Sequence, residues 1–456
     1  MKKRIFALLL AVCMVFGLTA CGGGADNNTE KITLRFASWN VGTEEENNLE
    51  RQMIAEFERL HPNIDIVIAD DIAANDWNGS LTTAAAGGKL PDVAFIAELP
   101  IAVANEWALD VSELAKNDPE WSKVPTSLIE SGMYNDKLFG IPTAMHLAGL
   151  FVNVDYCEEA NRDPLEYGYT YEEFLTEVEK LHNPSAGKVA IAAAHDFINF
   201  LPYIWDNTQG WFTYDGTSMH LNSDAFIKAV KETGKLTGYS WGALSEDQKA
   251  QSVGAEAGDE TARNEGYAGM FYGFTYSCEG YVRDVKGTVE YIGLPGGASV
   301  IIPDYCFISS TTEHPEEAWE FVKFMYWGTE GTKAKMAIDK ADDSISWVAL
   351  PVIADDAILE EYFANFPVEG VKEAYEGLTE NGSIVEAFKF APGYNKARWN
   401  GATGITNSEG IDLRITQVLD ACVAGTMSID DICEELNKAS NKFIEEARKA
   451  IDEVTK

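Results

Sequence analysis

Basic residues are scarce in this chain: 35 Lys and Arg stand against 73 Asp and Glu, a formal net charge of −38 over 456 residues. So acidic a polymer is repelled by nucleic acid and by anionic lipid surfaces, and neither is expected as a partner through charge. Histidine is sparse too. His61, His146, His182, His195, His220 and His314 are scattered, with none at the i, i+4 spacing that lets one helix face hold a metal. Beyond Cys21 the mature cysteines are Cys157, Cys278, Cys306, Cys422 and Cys433, an odd set without a C-x-x-C pair. That argues against a disulfide framework and a zinc site; buried thiols are expected, and Cys422 with Cys433 is the one pair worth testing as a disulfide. The chain also lacks a nucleotide-binding motif, an internal repeat and any cofactor signature.

Enzyme signals are weak. Gly238-Tyr239-Ser240-Trp241-Gly242 has the G-x-S-x-G pattern, but such a serine must sit on a sharp turn directly after a strand, and the segment before it reads as helix. A glycosidase needs only two correctly separated acids, and an abundance of acids is not a signal for such a pair. The one long apolar run, residues 5–18, follows Lys2, Lys3 and Arg4 and is too short to be a comfortable membrane span. It ends at Leu18-Thr19-Ala20-Cys21, which matches a bacterial lipoprotein cleavage site. Residues 1–20 are therefore expected to be an export signal, Cys21 to carry lipid, and residues 21–30, rich in Gly, Asn and Asp, to be a flexible tether. What remains is longer than a single hydrophobic core accommodates, so two large lobes are expected.

Periodicity fills in the elements. Strands are predicted at 31–37, 64–68, 93–97, 189–194, 266–274, 290–294 and 305–310; helices at 44–60, from Thr170 through a capping box, 223–234, 315–327 and from Ser428 onward. Asp215-Gly216 reads as the turn of a small hairpin between 211–214 and 218–221. Strands alternating with helices imply mostly parallel sheets, and in such sheets ligands sit beyond the carboxyl ends of strands. The chain is organised around residues 140–155, where Pro142 and the small residues Thr143, Ala144, Ala148 and Gly149 separate two short apolar runs, as in a crossover between lobes.

That stretch carries a resemblance. Tyr134-Asn135-Asp136-Lys137-Leu138-Phe139-Gly140-Ile141-Pro142, ending at Asn153-Val154-Asp155, resembles the first hinge strand of maltodextrin-binding-like, extracellular solute-binding proteins of carbohydrate ABC importers; Leu294-Pro295-Gly296-Gly297 resembles a second crossover of the same family. The resemblance implies an α/β fold of two lobes, each a mostly parallel sheet flanked by helices, with lobe 1 at 31–143 plus 303–350 and lobe 2 at 144–302 plus 351–456. It implies a monomeric receptor, not an enzyme, that hands an oligosaccharide to permease subunits and their ATPase at the outer face of the cell membrane, held there by its lipid anchor. A sugar needs flat aromatic platforms and short planar polar groups. Candidates at strand ends and crossovers are Trp39, Asn40, Glu98, His146, His195, Asp196, Phe197, Phe274, Tyr276, Tyr305 and Trp347; the resemblance adds Trp399 as a stacking residue of the second lobe. A cationic ligand such as a polyamine, held by carboxylates and ring faces, and a lipid-anchored glycoside hydrolase remain open alternatives.

Overall fold

The computed structural model describes residues 31–342, 344–378 and 382–456, so the signal, the tether and Cys21 lie outside the described residues. Nine strands make one sheet: β1 Ile32–Ala37, β2 Ile64–Ile68, β3 Val93–Ile96, β4 Ile141–Asn153, β5 Val189–Ile191, β6 Ala268–Phe274, β7 Val289–Gly293, β8 Ser299–Ile308 and β9 Ser383–Val385. Their spatial order is β2-β1-β3-β8-β4-β6-β5, with β9 on β8 and β7 on β4. The outer strands pair in parallel, β1 with β2 and β3 in one lobe and β5 with β6 in the other. The two long strands β4 and β8 are antiparallel to each other and run from one lobe into the other. They are the crossovers.

The crossing is not regular. Asp304 pairs with Ala144 but Tyr305 pairs with Pro142, so Thr143 is an extra residue in β4. A bulge of this kind re-aims side chains. It falls where Thr143, Ala144 and Asp304 line a cavity. Tyr305, one position on, is 0% exposed and its hydroxyl shares a 2.5 Å hydrogen bond with that of Ser131. Tyr305 is thus a core residue rather than a ligand contact, because successive strand residues face opposite sides.

Local sequence explains most element ends. Asn48 caps helix α1 (Leu49–Leu60) by accepting from Arg51 N, so the helix starts after residues 44–48 instead of including them. Helix α2 (Tyr171–Leu181) opens with the expected capping box of Thr170 and Glu173, and Ser223 caps α3 (Asp224–Thr237), which runs three residues past Gly234. Asp215 N bonds Ser218 O across the predicted turn, but the flanks do not pair: residues 211–213 are a 3-10 turn with Phe212 left-handed. Pro295–Gly297 is likewise a tight turn with Gly296 at φ 83, and the lobe crossing is made by the strand after it. The C-terminal region holds short strands at Ala402–Thr406 and Asp412–Arg414 besides its helices. Cys422 and Cys433 are free thiols. Helix α4 (Thr329–Ala341) lies against α1, and the long last helix α5 (Ile429–Thr455) reaches the first lobe, where Asn135 bonds Asp452 and Thr455.

Candidate functional site

One cavity is lined by residues of both crossing strands, and a second by residues of β6 and of the segment after β9. The first, about 320 Å³, is lined by Asn40, Glu50, His146, Tyr276, Lys335 and Trp347, together with the bulge residues. The second, about 280 Å³, is lined by Asp196, Asn199, Tyr272, Phe274, Glu386 and Trp399 among others. Strand β6 ends between them. Phe274 in the second cavity stacks on Tyr276 in the first, with ring centroids 4.9 Å apart and planes 7° from parallel. His146 meets Tyr276 edge-on at 5.2 Å. Lys389 and Asp304 form an ion pair of 2.9 Å that ties the segment after β9 to β8.

Each side chain is placed by an identifiable local cause. Asn40 follows the end of β1, and its carbonyl accepts from Asn48 Nδ2, so the cap of α1 also holds the loop. Glu50 lies in the first turn of that helix and accepts from Tyr326 Oη at 2.5 Å. Lys335 shares the buried face of α4 with Gly331, Thr332 and Met336, the i, i+4 neighbourhood of one helical stripe. Asn199 sits in the helix Phe197–Trp205, opposite Arg398 of the π-helical turn Lys396–Asn400.

Burial governs the electrostatics. It pushes the Glu50 carboxyl up from its usual value, opposed by hydrogen bonds from Tyr326, Ser38 and Asn40 and by the charge of Lys335. It pulls the Lys335 ammonium down to about 8 against the attraction of Glu50. That ammonium has no hydrogen-bond or ion-pair partner among the described residues and lies 5.5 and 5.4 Å from the rings of Tyr326 and Trp347. His146 is dragged down to about 4 by burial, so its imidazole is neutral at pH 7, and its Nδ1 finds no protein partner. Burial also raises Glu386 to about 7. Thr143 Oγ1 and Tyr272 Oη are likewise buried without partners among the described residues. Orphaned buried polar atoms are costly in a core and useful in a binding site, where a ligand completes them.

The sequence candidates divide accordingly. Asn40, His146, Tyr276 and Trp347 converge on the first cavity, and Asp196, Phe274 and Trp399 on the second. Trp39 lines neither; it is 36% exposed and packs edge-on against Trp77 and Phe95 at 5.2 and 4.9 Å. Glu98 precedes the helix Leu99–Ala104, half-buried and raised in pKa by burial, and lines neither cavity. His195 turns outward onto a separate open groove beside Trp241 while its Nε2 lies 3.0 Å from Asp196 Oδ2. Phe197 is 1% exposed and stacks on Phe174, so it is core and not a ligand platform: it starts a helix whose apolar face closes the second lobe.

Glu50, Lys335, Tyr272, Asn199 and Glu386 were not singled out from the sequence. Lys335 left a readable signal, a charge on the buried stripe of an amphipathic helix, where an unpaired lysine is rare. Glu386 left none, since the short β9 that positions it is fixed by pairing with β8 far away in sequence. Among the described residues, no cluster of three or more His, Cys, Asp or Glu could hold a metal, and no helix is long and apolar enough to cross a membrane.

Residues 42–326 match the profile of the bacterial extracellular solute-binding protein family. No curated protein is similar at the level of sequence. Solved structures are similar over nearly the whole chain. The sugar-binding protein MalE from Xanthomonas citri superimposes with a TM-score of 0.67 at 15% identity, covering 92% of this chain and 99% of that one. The ABC substrate-binding protein Lmo0181 from Listeria monocytogenes, in complex with cycloalternan, gives 0.65 at 16% identity over 91% and 99%. The cyclic alpha-maltosyl-1,6-maltose binding protein from Arthrobacter globiformis gives 0.65 at 15% identity over 91% and 99%. At such identities the likeness establishes the two-lobed fold.

Proposed function

This chain belongs to the family of bacterial extracellular solute-binding proteins, and we propose that it is the lipid-anchored receptor of an ABC importer, capturing a neutral oligosaccharide between its lobes. The observation that carries the reading is the pair of cavities linked by the stacked rings of Phe274 and Tyr276, each combining ring faces with buried hydrogen-bonding atoms that lack partners among the described residues. A sugar ring offers apolar C–H faces to the rings of Trp347, Tyr276, Phe274 and Trp399, and hydroxyls that can both donate and accept. Its hydroxyls match Thr143, His146, Tyr272 and the Lys335 ammonium.

Charge balance in the first cavity supports a neutral ligand over a cation: Asp304 is matched by Lys389, and the Lys335 ammonium offsets Glu50. The names of similar structures, with cycloalternan and cyclic maltosyl-maltose as their ligands, add weight. A hydrolase is disfavoured because the family is one of binding proteins. Transport then needs permease subunits and their ATPase as partner chains. The lobes are taken as 31–143 plus 303–350 and 144–302 plus 351–456, and the protein as a monomer. Ligand contacts from both lobes favour the closed arrangement, because only that arrangement makes both sets at once.

The test is thermal unfolding against neutral oligosaccharides, acidic sugars and polyamines, with the mixtures checked for products. A ligand that binds only the native state raises the midpoint according to its concentration over its Kd. A rise with one class of neutral sugar and no cleavage is expected; a polyamine-only rise, or cleaved sugar, contradicts the reading. Anchoring is tested separately. Cys21→Ser is expected to release the protein from the cell surface into the medium and to abolish incorporation of labelled palmitate, and retention on the membrane with label still attached would refute a lipid at Cys21.

A further inference from the structure

The second cavity has the composition of a cation trap. Asp196 lines it together with Glu386, whose carboxyl burial raises to about 7, beside the rings of Trp211, Tyr272, Phe274 and Trp399, and carboxyl groups that can ionise among several ring faces are what a quaternary or primary ammonium seeks. What opposes that use lies in the wall. Arg398 is 5% exposed, and its guanidinium sits between the rings of Phe212 at 4.3 Å and Trp399 at 3.9 Å. Nε and Nη2 both donate to Asn199 Oδ1, at 3.3 and 3.2 Å, and Nη1 is buried with no partner. Among the described residues no carboxylate is in ion-pair contact with it; Asp196 and Asp420 act on it only at longer range.

The stack is built with effort. Phe212 holds a left-handed backbone at φ 49 and ψ 44, followed by Thr213 at φ 63, and a bulky residue adopts such angles only where its surroundings over-determine them. Arg398 and Trp399 are adjacent in a π-helical turn, a local widening that recurs at functional sites. The guanidinium thereby lies over the Trp399 ring, which is 37% exposed and lines the cavity, while Arg398 itself does not line it.

We infer that Arg398 is the positioning and specificity residue of this cleft: it fixes the plane of Trp399 and excludes cationic ligands that Asp196, Glu386 and the aromatic walls would otherwise hold. A cation stacked on Trp399 would share the ring with the guanidinium, and like charges that close in a partly desolvated site repel. A polyol on the same ring meets no such opposition. The inference deepens the reading of the cleft as a neutral-sugar site and rests on it, yet it is tested without a sugar.

The probes are spermidine and tetramethylammonium, titrated into the purified protein and its variants. The wild type is expected to bind neither at millimolar concentration. Arg398→Met keeps the bulk and removes the charge, and is expected to gain at least about tenfold in affinity for both cations. Arg398→Lys keeps a charge and is expected to go on excluding them. Arg398→Gln, which can still reach Asn199, serves if the methionine variant does not unfold cooperatively. Spermidine or tetramethylammonium binding by the wild type, or an uncharged variant that folds and gains nothing, overturns the inference. Failure of every neutral sugar to bind the wild type would instead overturn the functional reading, whatever the cations do.

Discussion

Replacing Trp399 by alanine is expected to raise the Kd for the bound sugar by about thirtyfold, on the order of 2 kcal/mol, the loss typical of a central aromatic anchor. The ring is 37% exposed and lines the second cavity, so it is not a fully buried core residue. The thermal midpoint without ligand should fall only slightly, whereas the ligand-induced rise should shrink sharply. Calorimetric titration of variant and parent with the same oligosaccharide checks this. A Kd within twofold of the parent would remove Trp399 from the site.

Glu386→Gln should alter stability in a pH-dependent manner. Burial raises this carboxyl from an ordinary value of 4.5 to about 7, with Asp304 and Asp196 adding to the shift and Lys389 opposing it. Between those values the folded protein holds a proton that the unfolded chain has released. Stability from this group is therefore complete below about 4.5 and is lost as pH rises to about 7. The glutamine variant never ionises and escapes that loss. It is expected to match the parent near pH 4 and to exceed it by up to about 3 kcal/mol near pH 8. Urea midpoints across that range provide the measurement; a difference that is the same at every pH would show that burial does not hold Glu386 protonated.

The contrast between these two residues marks how far the sequence could be read. Residues 140–155 announced a crossover through Pro142 and its small neighbours, and β4 spans Ile141–Asn153. Thr170 and Ser223 capped their helices because N-cap chemistry acts over three residues and needs no tertiary partner. The site was harder. Asn40, Phe274, Tyr276 and Asp196 follow strand ends or lie close to them, and the rule that ligands gather beyond strand ends places such residues near the cleft without knowledge of the fold. The same rule also selected Phe197 and Tyr305. It fixes a position along the chain but not the direction of a side chain, which the helix after β5 and the bulge at Thr143 decide. Glu50 and Lys335 come from two helices, and Glu386 follows a short edge strand; each reaches its cavity only through packing. No local pattern in the sequence carries that placement.

The central claim is that one ligand is held by both lobes. Its most direct test is titration of the parent, Trp399→Ala in the second lobe and Asn40→Ala in the first with one neutral oligosaccharide, alongside small-angle scattering of each saturated complex. The account predicts that either substitution weakens binding, and that the parent compacts on saturation because contacts from both lobes draw the cleft shut. Tight binding that survives the loss of one lobe's residue, with no compaction of the parent, would contradict it.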